Sequence, residues 1–147
     1  MLKAERRVEM TWEGTLVRGP GAVKVGSGAT EALPMTWATR SEQADGKTSP
    51  EELLAAAHAG CYAMALAQTL TEAGNPPESL RVAAVCTLAE VEEKPKITSM
   101  KLEAHGKVAG MDAASFAQAA QKAEQRCVVS NALRPNVAIQ LTARLEA

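Results

Sequence analysis

Apolar and polar residues alternate over residues 8–13, Val-Glu-Met-Thr-Trp-Glu, and extended patterns continue over 15–18 and 22–26 on either side of Arg18-Gly19-Pro20-Gly21. A period of two sends successive side chains to opposite faces of a sheet, so the chain is expected to begin with strands joined in hairpins. Residues 28–47 are irregular. Pro34 and the Asp45-Gly46 turn signal predict a short strand there, followed by a loop that carries Trp37 and Arg40. The period then changes. Ser49-Pro50-Glu51-Glu52 supplies a hydroxyl N-cap, a proline whose φ suits the first helical position and an acid three residues past the cap. That is the signature of a capping box, opening a helix over residues 50–73 that Gly74, Pro76 and Pro77 end. Leu53, Leu54, Ala57, Cys61, Met64, Ala65 and Gln68 follow helical spacing, while Ala59, Ala63, Leu66 and Ala67 widen the stripe past one face. The helix is therefore expected to be central and largely buried, a rod of about 36 Å.

Residues 80–91 and 97–109 read as two strands joined by 92–96, an antiparallel pair. Gly110-Met111-Asp112 opens a second helix with Asp112 as N-cap; in it Phe116, Ala120, Ala123 and Cys127 fall on one face. A last strand covers 137–145. With no repeat, low-complexity tract or linker, the expectation is one α+β domain over 1–147. Its order is N-terminal β-hairpin strands, long central helix, antiparallel strand pair, second helix and C-terminal strand.

Composition narrows the partners. The 147 residues are 46% hydrophobic and 22% charged, ordinary for a soluble domain of this size. With 16 Lys+Arg against 17 Asp+Glu the net charge is -1, so there is no basic excess to neutralise phosphates and nucleic acid is not an expected partner. Lys3, Glu5, Arg6, Arg7 and Glu9 deny residues 1–10 the apolar run of a signal peptide, and no stretch reads as the roughly 20 uncharged apolar residues of a membrane span. A cytoplasmic protein is expected. The four aromatics, Trp12, Trp37, Tyr62 and Phe116, leave the core to Ala, Val, Leu and Met, a lean interior that favours further burial in an oligomer.

Three cysteines are an odd number, and a reducing compartment argues against a disulfide scaffold. A cysteine on an apolar face is usually a small core residue, and Cys86 in its alternating strand fits that role. Cys61 and Cys127 sit on the inward stripes of two helices beside small neighbours. If those helices pack with the two cysteines facing each other, the Cα atoms can come within the roughly 4.4–6.8 Å a disulfide requires. A reactive Cys61 needs a fixed cation, because it lies about three turns into its helix, where the macrodipole has faded and apolar neighbours disfavour a thiolate. Arg18 and Arg40 are the candidates; Arg81, Arg126, Arg134 and Arg144 read as strand or helix-end charges. Glu52 is occupied by the capping box, which leaves Glu51 to hold an arginine. Glu51 precedes Cys61 by about 15 Å along the axis and about 80° around it, so joint service at one site calls for a second subunit or a long arginine between them.

The run from Ser49-Pro50-Glu51-Glu52-Leu53-Leu54 through His58-Ala59-Gly60-Cys61-Tyr62 resembles the central-helix signature of the OsmC/Ohr family, the osmotically inducible and organic hydroperoxide resistance proteins. Cys127-Val128-Val129-Ser130 resembles its second cysteine motif. The similarity extends to Trp12-Glu13-Gly14, Arg18-Gly19 and Ala38-Thr39-Arg40-Ser41-Glu42, and the OsmC branch is the closer match. The resemblance implies a cysteine-based, metal-free peroxidase without a cofactor, active on organic hydroperoxides with hydrogen peroxide as a second candidate substrate, in oxidative or osmotic stress, built as an intertwined α+β homodimer with sites at the subunit interface. By position it makes Cys61 the peroxidatic cysteine, Cys127 the resolving cysteine, Glu51 the carboxylate and Arg40 the activating arginine. The Ohr branch takes its arginine from nearer the N-terminus, where Arg18 stands. Two departures are Val128 where the family commonly has Pro and Tyr62 where it commonly has Phe.

The implied cycle runs from a Cys61 thiolate to a sulfenic acid, then to a Cys61–Cys127 disulfide that an external dithiol reopens, the resemblance suggesting one of lipoyl type. Cys127, placed near a helix C-terminus that disfavours a thiolate, suits the resolving role. Methionines and Trp37 are expected to line an apolar pocket for alkyl peroxides. Three other readings stand beside this one. His58, three residues before Cys61, suggests a Cys-His pair for acyl transfer. Cys61, Cys127 and His58 suggest a metal site. A small-molecule or lipid-binding module would leave both cysteines merely packed.

Overall fold

The computed structural model describes all 147 residues, which fall into two compact units, 1–53 and 54–147. In the first, β1 (Val8–Trp12), β2 (Gly21–Val25) and β3 (Leu33–Met35) form an antiparallel sheet in the order β1-β2-β3. Trp12 stands opposite Gly21, where a Cβ would lie 2.4 Å from the indole ring, so the absence of a side chain is what lets the ring lie across β2. Pro34 is tolerated because β3 is an edge strand.

Two expectations in this unit are corrected. Residues 15–18 are a turn, closed by the Gly19 N–H donating to the Thr15 carbonyl at 2.9 Å, and not a strand. The segment carrying Trp37 and Arg40 is no loop but a short helix, α1 (Trp37–Ser41), because the Thr36 and Thr39 hydroxyls cap each other's backbone N–H groups. Asp45 and Gly46, with φ of 47° and 76°, make the expected turn. The Thr48 N–H then donates to the Pro34 carbonyl at 2.9 Å and ties the entry to the next helix to β3.

That helix, α2 (Pro50–Glu72), starts as expected, with the Glu52 N–H donating to Ser49 Oγ at 3.1 Å. The reciprocal half of the capping box is absent, because Glu52 Oε1 accepts from the nearer Thr48 hydroxyl at 2.7 Å. Its far end closes as a Schellman motif: Gly74 has φ of 86°, its N–H donates to Thr71, and the Asn75 N–H donates to Leu70.

In the second unit β4 (Ser79–Val91) and β5 (Lys94–Lys107) pair antiparallel, and β6 (Ala138–Leu145) runs parallel to β5, giving the order β4-β5-β6. The connection between the first two is shorter than expected: Glu92 and Glu93, both at positive φ, make the turn and residues 94–96 join the strand. α3 (Ala113–Arg126) begins at Asp112, whose carboxylate accepts the Ser115 N–H at 2.7 Å. A further helix, α4 (Val128–Leu133), follows; at six residues it is too short to leave a period in the sequence. One sheet face, with Leu102 and Ala104, packs against Tyr62, Leu66 and Leu70 of α2 and against Phe116, Ala120 and Ala123 of α3.

The inward face of α2 is not the expected one. His58, Tyr62, Leu66 and Leu70 are buried, while Ala57, Gly60, Met64 and Gln68 are exposed in the single chain, Met64 to 75%. Tyr62, Leu66 and Leu70 take the core, and Met64 and Gln68 lie outside with Ala57 and Gly60, so α2 is only partly buried. By length and composition alone α2 also reaches the size of a membrane span, against the expectation that no stretch does, yet its inward stripe is part of the core cluster of the second unit.

Candidate active site

Cys61 lies half-buried on α2, and Cys127 is fully buried at the junction of two helices. Cys127 does not prolong the α3 face as a helical residue. It is the C-cap of α3 and the N-cap of α4, with its Sγ accepting the Ser130 N–H at 3.5 Å. Neither thiol is bridged, and Cys61 packs against the buried cluster that contains Cys127. Burial pushes the Cys127 thiol above its ordinary value; donation from the Ser130 amide and hydroxyl pulls it down, and the neighbouring Cys61 thiol pushes it up again. The reluctance of Cys127 to ionise thus comes mainly from burial, and the helix end invoked from sequence is offset by the Ser130 donors.

Arg40 and Glu51, both in the first unit, are brought together. Arg40 Nε donates to Glu51 Oε1 at 3.0 Å and Oε2 at 3.3 Å, and Nη2 donates to Oε1 at 2.8 Å. The carboxylate is 8% exposed and the arginine side chain 34%, so an almost buried acid fixes the plane of a guanidinium that still reaches solvent. The Trp37 ring lies beneath it, 6.0 Å from Cζ. Arg18 is exposed in its turn and makes no ion pair, while Arg126 pairs with Glu72 and Arg134 with Glu124. An apolar cleft of about 820 Å³ in the same unit is lined by Met10, Trp12, Met35, Trp37 and Leu53, with Arg40 on its wall. The expected methionines and Trp37 therefore do share one apolar surface.

Sequence reasoning missed the surroundings of His58. This fully buried side chain sets Nε2 2.7 Å from Ser130 Oγ and leaves Nδ1 buried with no partner, so neither ring nitrogen is hydrogen-bonded to Cys61 as a Cys-His pair would require. Burial lowers the His58 pKa, the Glu124 carboxylate raises it and Arg134 lowers it. Tyr62 donates from Oη to the Ala120 carbonyl at 3.0 Å, and burial drives its phenol well above the ordinary range. The sequence offered Ser130 only as the last residue of the Cys127-Val128-Val129-Ser130 motif. No group of three or more His, Cys, Asp or Glu side chains is placed to hold a metal ion, so Cys61, Cys127 and His58 do not assemble the metal site considered from sequence.

A family model described as OsmC-like protein matches residues 43–142, a span that contains Glu51, Cys61 and Cys127 and stops short of Arg40. Peroxiredoxin OsmC of Escherichia coli strain K12 is 40% identical over 128 residues, 87% of this chain and 89% of its own. Among solved structures, an organic hydroperoxide resistance protein from Elizabethkingia anophelis superposes with a TM-score of 0.76 at 23% identity, covering 99% of this chain and 100% of that one. The organic hydroperoxide resistance protein OhrB of Bacillus subtilis superposes with a TM-score of 0.74 at 21% identity, over 93% and 97% of the two chains. At those identities the likeness to the solved structures is one of fold.

Proposed function

This chain belongs to the OsmC family, and from that premise we propose that the whole chain, 1–147, acts as one OsmC-like domain with Cys61 as its reacting thiol and Cys127 as its resolving thiol. The protein is a cysteine-based thiol peroxidase of stress defence. In the proposed first step the Cys61 thiolate gives its electron pair to the terminal oxygen of ROOH; the O–O bond breaks, ROH leaves with a proton, and Cys61 becomes a sulfenic acid. Cys127 then attacks that sulfur, expelling water and closing the disulfide, which an external dithiol of the lipoyl type reopens in the reducing cytoplasm.

Arg40 supplies the cation that favours the Cys61 thiolate and the peroxide oxygen, and Glu51 aims it. The two-point grip on Glu51 supports Arg40 over Arg18 for this role. The apolar cleft beside Arg40 supports organic hydroperoxides as the preferred substrates. A homodimer is part of the reading, supported by the apolar side chains that the single chain leaves exposed, Val8, Leu16 and Val17 in one unit and Met64 in the other.

The observation that carries the reading is a pair of unbridged thiols on one core, Cys61 half-buried and Cys127 buried beside it. Thiol titration and peptide mapping around one equivalent of cumene hydroperoxide test it. Wild type should lose two thiols and yield a linked Cys61–Cys127 peptide, and Cys127→Ser should accumulate a sulfenic acid at Cys61. Three unchanged thiols would sink the reading and leave a binding module with packed cysteines.

A further inference from the structure

The peroxidase cycle described above leaves one buried group without a task. His58 is an imidazole in the core, and its Nδ1 has no partner. A buried polar atom left unpaired costs free energy, so native structures keep few of them and those few call for a reason. Its Nε2 is engaged, at 2.7 Å from Ser130 Oγ, and Ser130 in turn faces Cys127, with its amide N–H donating to the sulfur at 3.5 Å. Ser130 thus stands between the two, its hydroxyl on the His58 ring nitrogen and its amide on the Cys127 sulfur, and all three side chains are fully buried.

We infer that His58 is the proton acceptor for the resolving step, acting on Cys127 through the hydroxyl of Ser130. The inference rests on the reading of Cys127 as the resolving thiol. His58 touches no reacting atom and is a positioning residue for the proton.

The need for it follows from the chemistry of resolution. A thiol must lose its proton to attack a sulfenic sulfur, and burial opposes that loss at Cys127 and keeps bulk solvent from its side chain. In the inferred step the Cys127 S–H bond breaks as Ser130 Oγ takes its proton, and Ser130 passes its own hydroxyl proton to His58 Nε2. The freed electron pair on Cys127 forms the S–S bond to Cys61 while the S–OH bond of the sulfenic acid breaks. The leaving hydroxide becomes water with the proton that His58 gives up, so the imidazole returns to neutral and no net proton is gained or lost. Cys61 sulfur is reduced from the sulfenic to the disulfide level and Cys127 sulfur is oxidised to match, so the peroxide already consumed is the only oxidant.

The surroundings suit a transient acceptor. Burial keeps His58 neutral at rest, which an acceptor requires. The charged and titratable groups facing it are Glu124 from α3, which favours the imidazolium, and Arg134 after α4, which opposes it. Glu124 and Arg134 are ion-paired to each other, which moderates both influences. Cys61 and Tyr62 stand on its own helix, and the Tyr62 phenol is held neutral far above the working range.

The test follows single turnovers on full-length protein by rapid quench, timing sulfenic acid formation at Cys61 and disulfide closure separately, across pH, in wild type, His58→Gln, Ser130→Ala and the double variant. Closure, relative to the oxidation step, should slow on the order of 100-fold in each single variant and no further in the double. Between the ordinary imidazole value of 6.5 and the ordinary thiol value of 9.0 the wild-type closure rate should stay level. In the variants it should climb ~tenfold per pH unit, because direct ionisation of Cys127 then limits it. Ser130→Ala removes one oxygen from a site that keeps its backbone cap, so it stands in should His58→Gln fold poorly. Variants that slow closure by the same factor at every pH, or leave it unchanged, would overturn the relay while the disulfide still formed. Absence of the disulfide in wild type would instead overturn the reading of Cys127 itself, and the relay with it.

Discussion

At Arg40 the donors decide the role. Nε and Nη2 both engage Glu51, a grip that the single ammonium of a lysine cannot reproduce, so Arg40→Lys keeps the charge and loses its aim. Its kcat/KM for cumene hydroperoxide should fall on the order of 10 to 100-fold, with Glu51→Gln close behind and Arg18→Lys near wild type. A loss confined to Arg18→Lys would transfer the role to that residue. Glu51 was legible in the sequence because Glu52 had a competing task, although the task differs: Glu52 turns to the Thr48 hydroxyl and not to the cap backbone. His58 and Ser130 were not legible as a pair. They are 72 residues apart, and a contact between two helices leaves no spacing in either. Cys127 was singled out in the sequence, but its double capping role was hidden because α4 was not foreseen.

Among the elements, those with long periods or chemically marked ends were readable: the Ser49 start and Gly74 finish of α2, the β4–β5 pair and the Asp112 cap of α3. The short helices α1 and α4 were not, since five or six residues complete too few turns to show a stripe, and their caps come from Thr36, Thr39 and a cysteine. The packing of α3 on the second sheet depends on Gly106, where a Cβ would sit 2.6 Å from the Phe116 ring. Gly106→Ala should therefore cost about 1 to 3 kcal/mol by overpacking. Asp112→Ala, which removes only a cap, should cost about 1 kcal/mol. Urea denaturation of the two variants would compare them, and a smaller loss at Gly106 would mean that the ring yields at little cost.

For the whole molecule, the α+β class and the order of its main elements could be read from the chain, but which face of α2 is covered could not. Helical spacing placed Met64 inward with Cys61, whereas Tyr62 and Leu66 command the core and Met64 is turned outward. Periodicity identifies an apolar stripe, and only packing against a particular neighbour selects the part of it that is inside. Sedimentation should find the protein at twice the chain mass, and Met64→Glu should shift it toward the single chain. A sharp monomer at micromolar concentration in wild type would remove the homodimer.

The outward apolar side chains of β1, its following turn and α2 carry one more consequence. In the proposed homodimer such surface is hidden only by association, part of the folding free energy then comes from mass action, and the melting temperature should climb as the total chain concentration is raised. Abundance would then act as its own stabiliser: a cell that makes more of this chain under stress would also make each copy harder to unfold, and dilution would return it to a weaker fold.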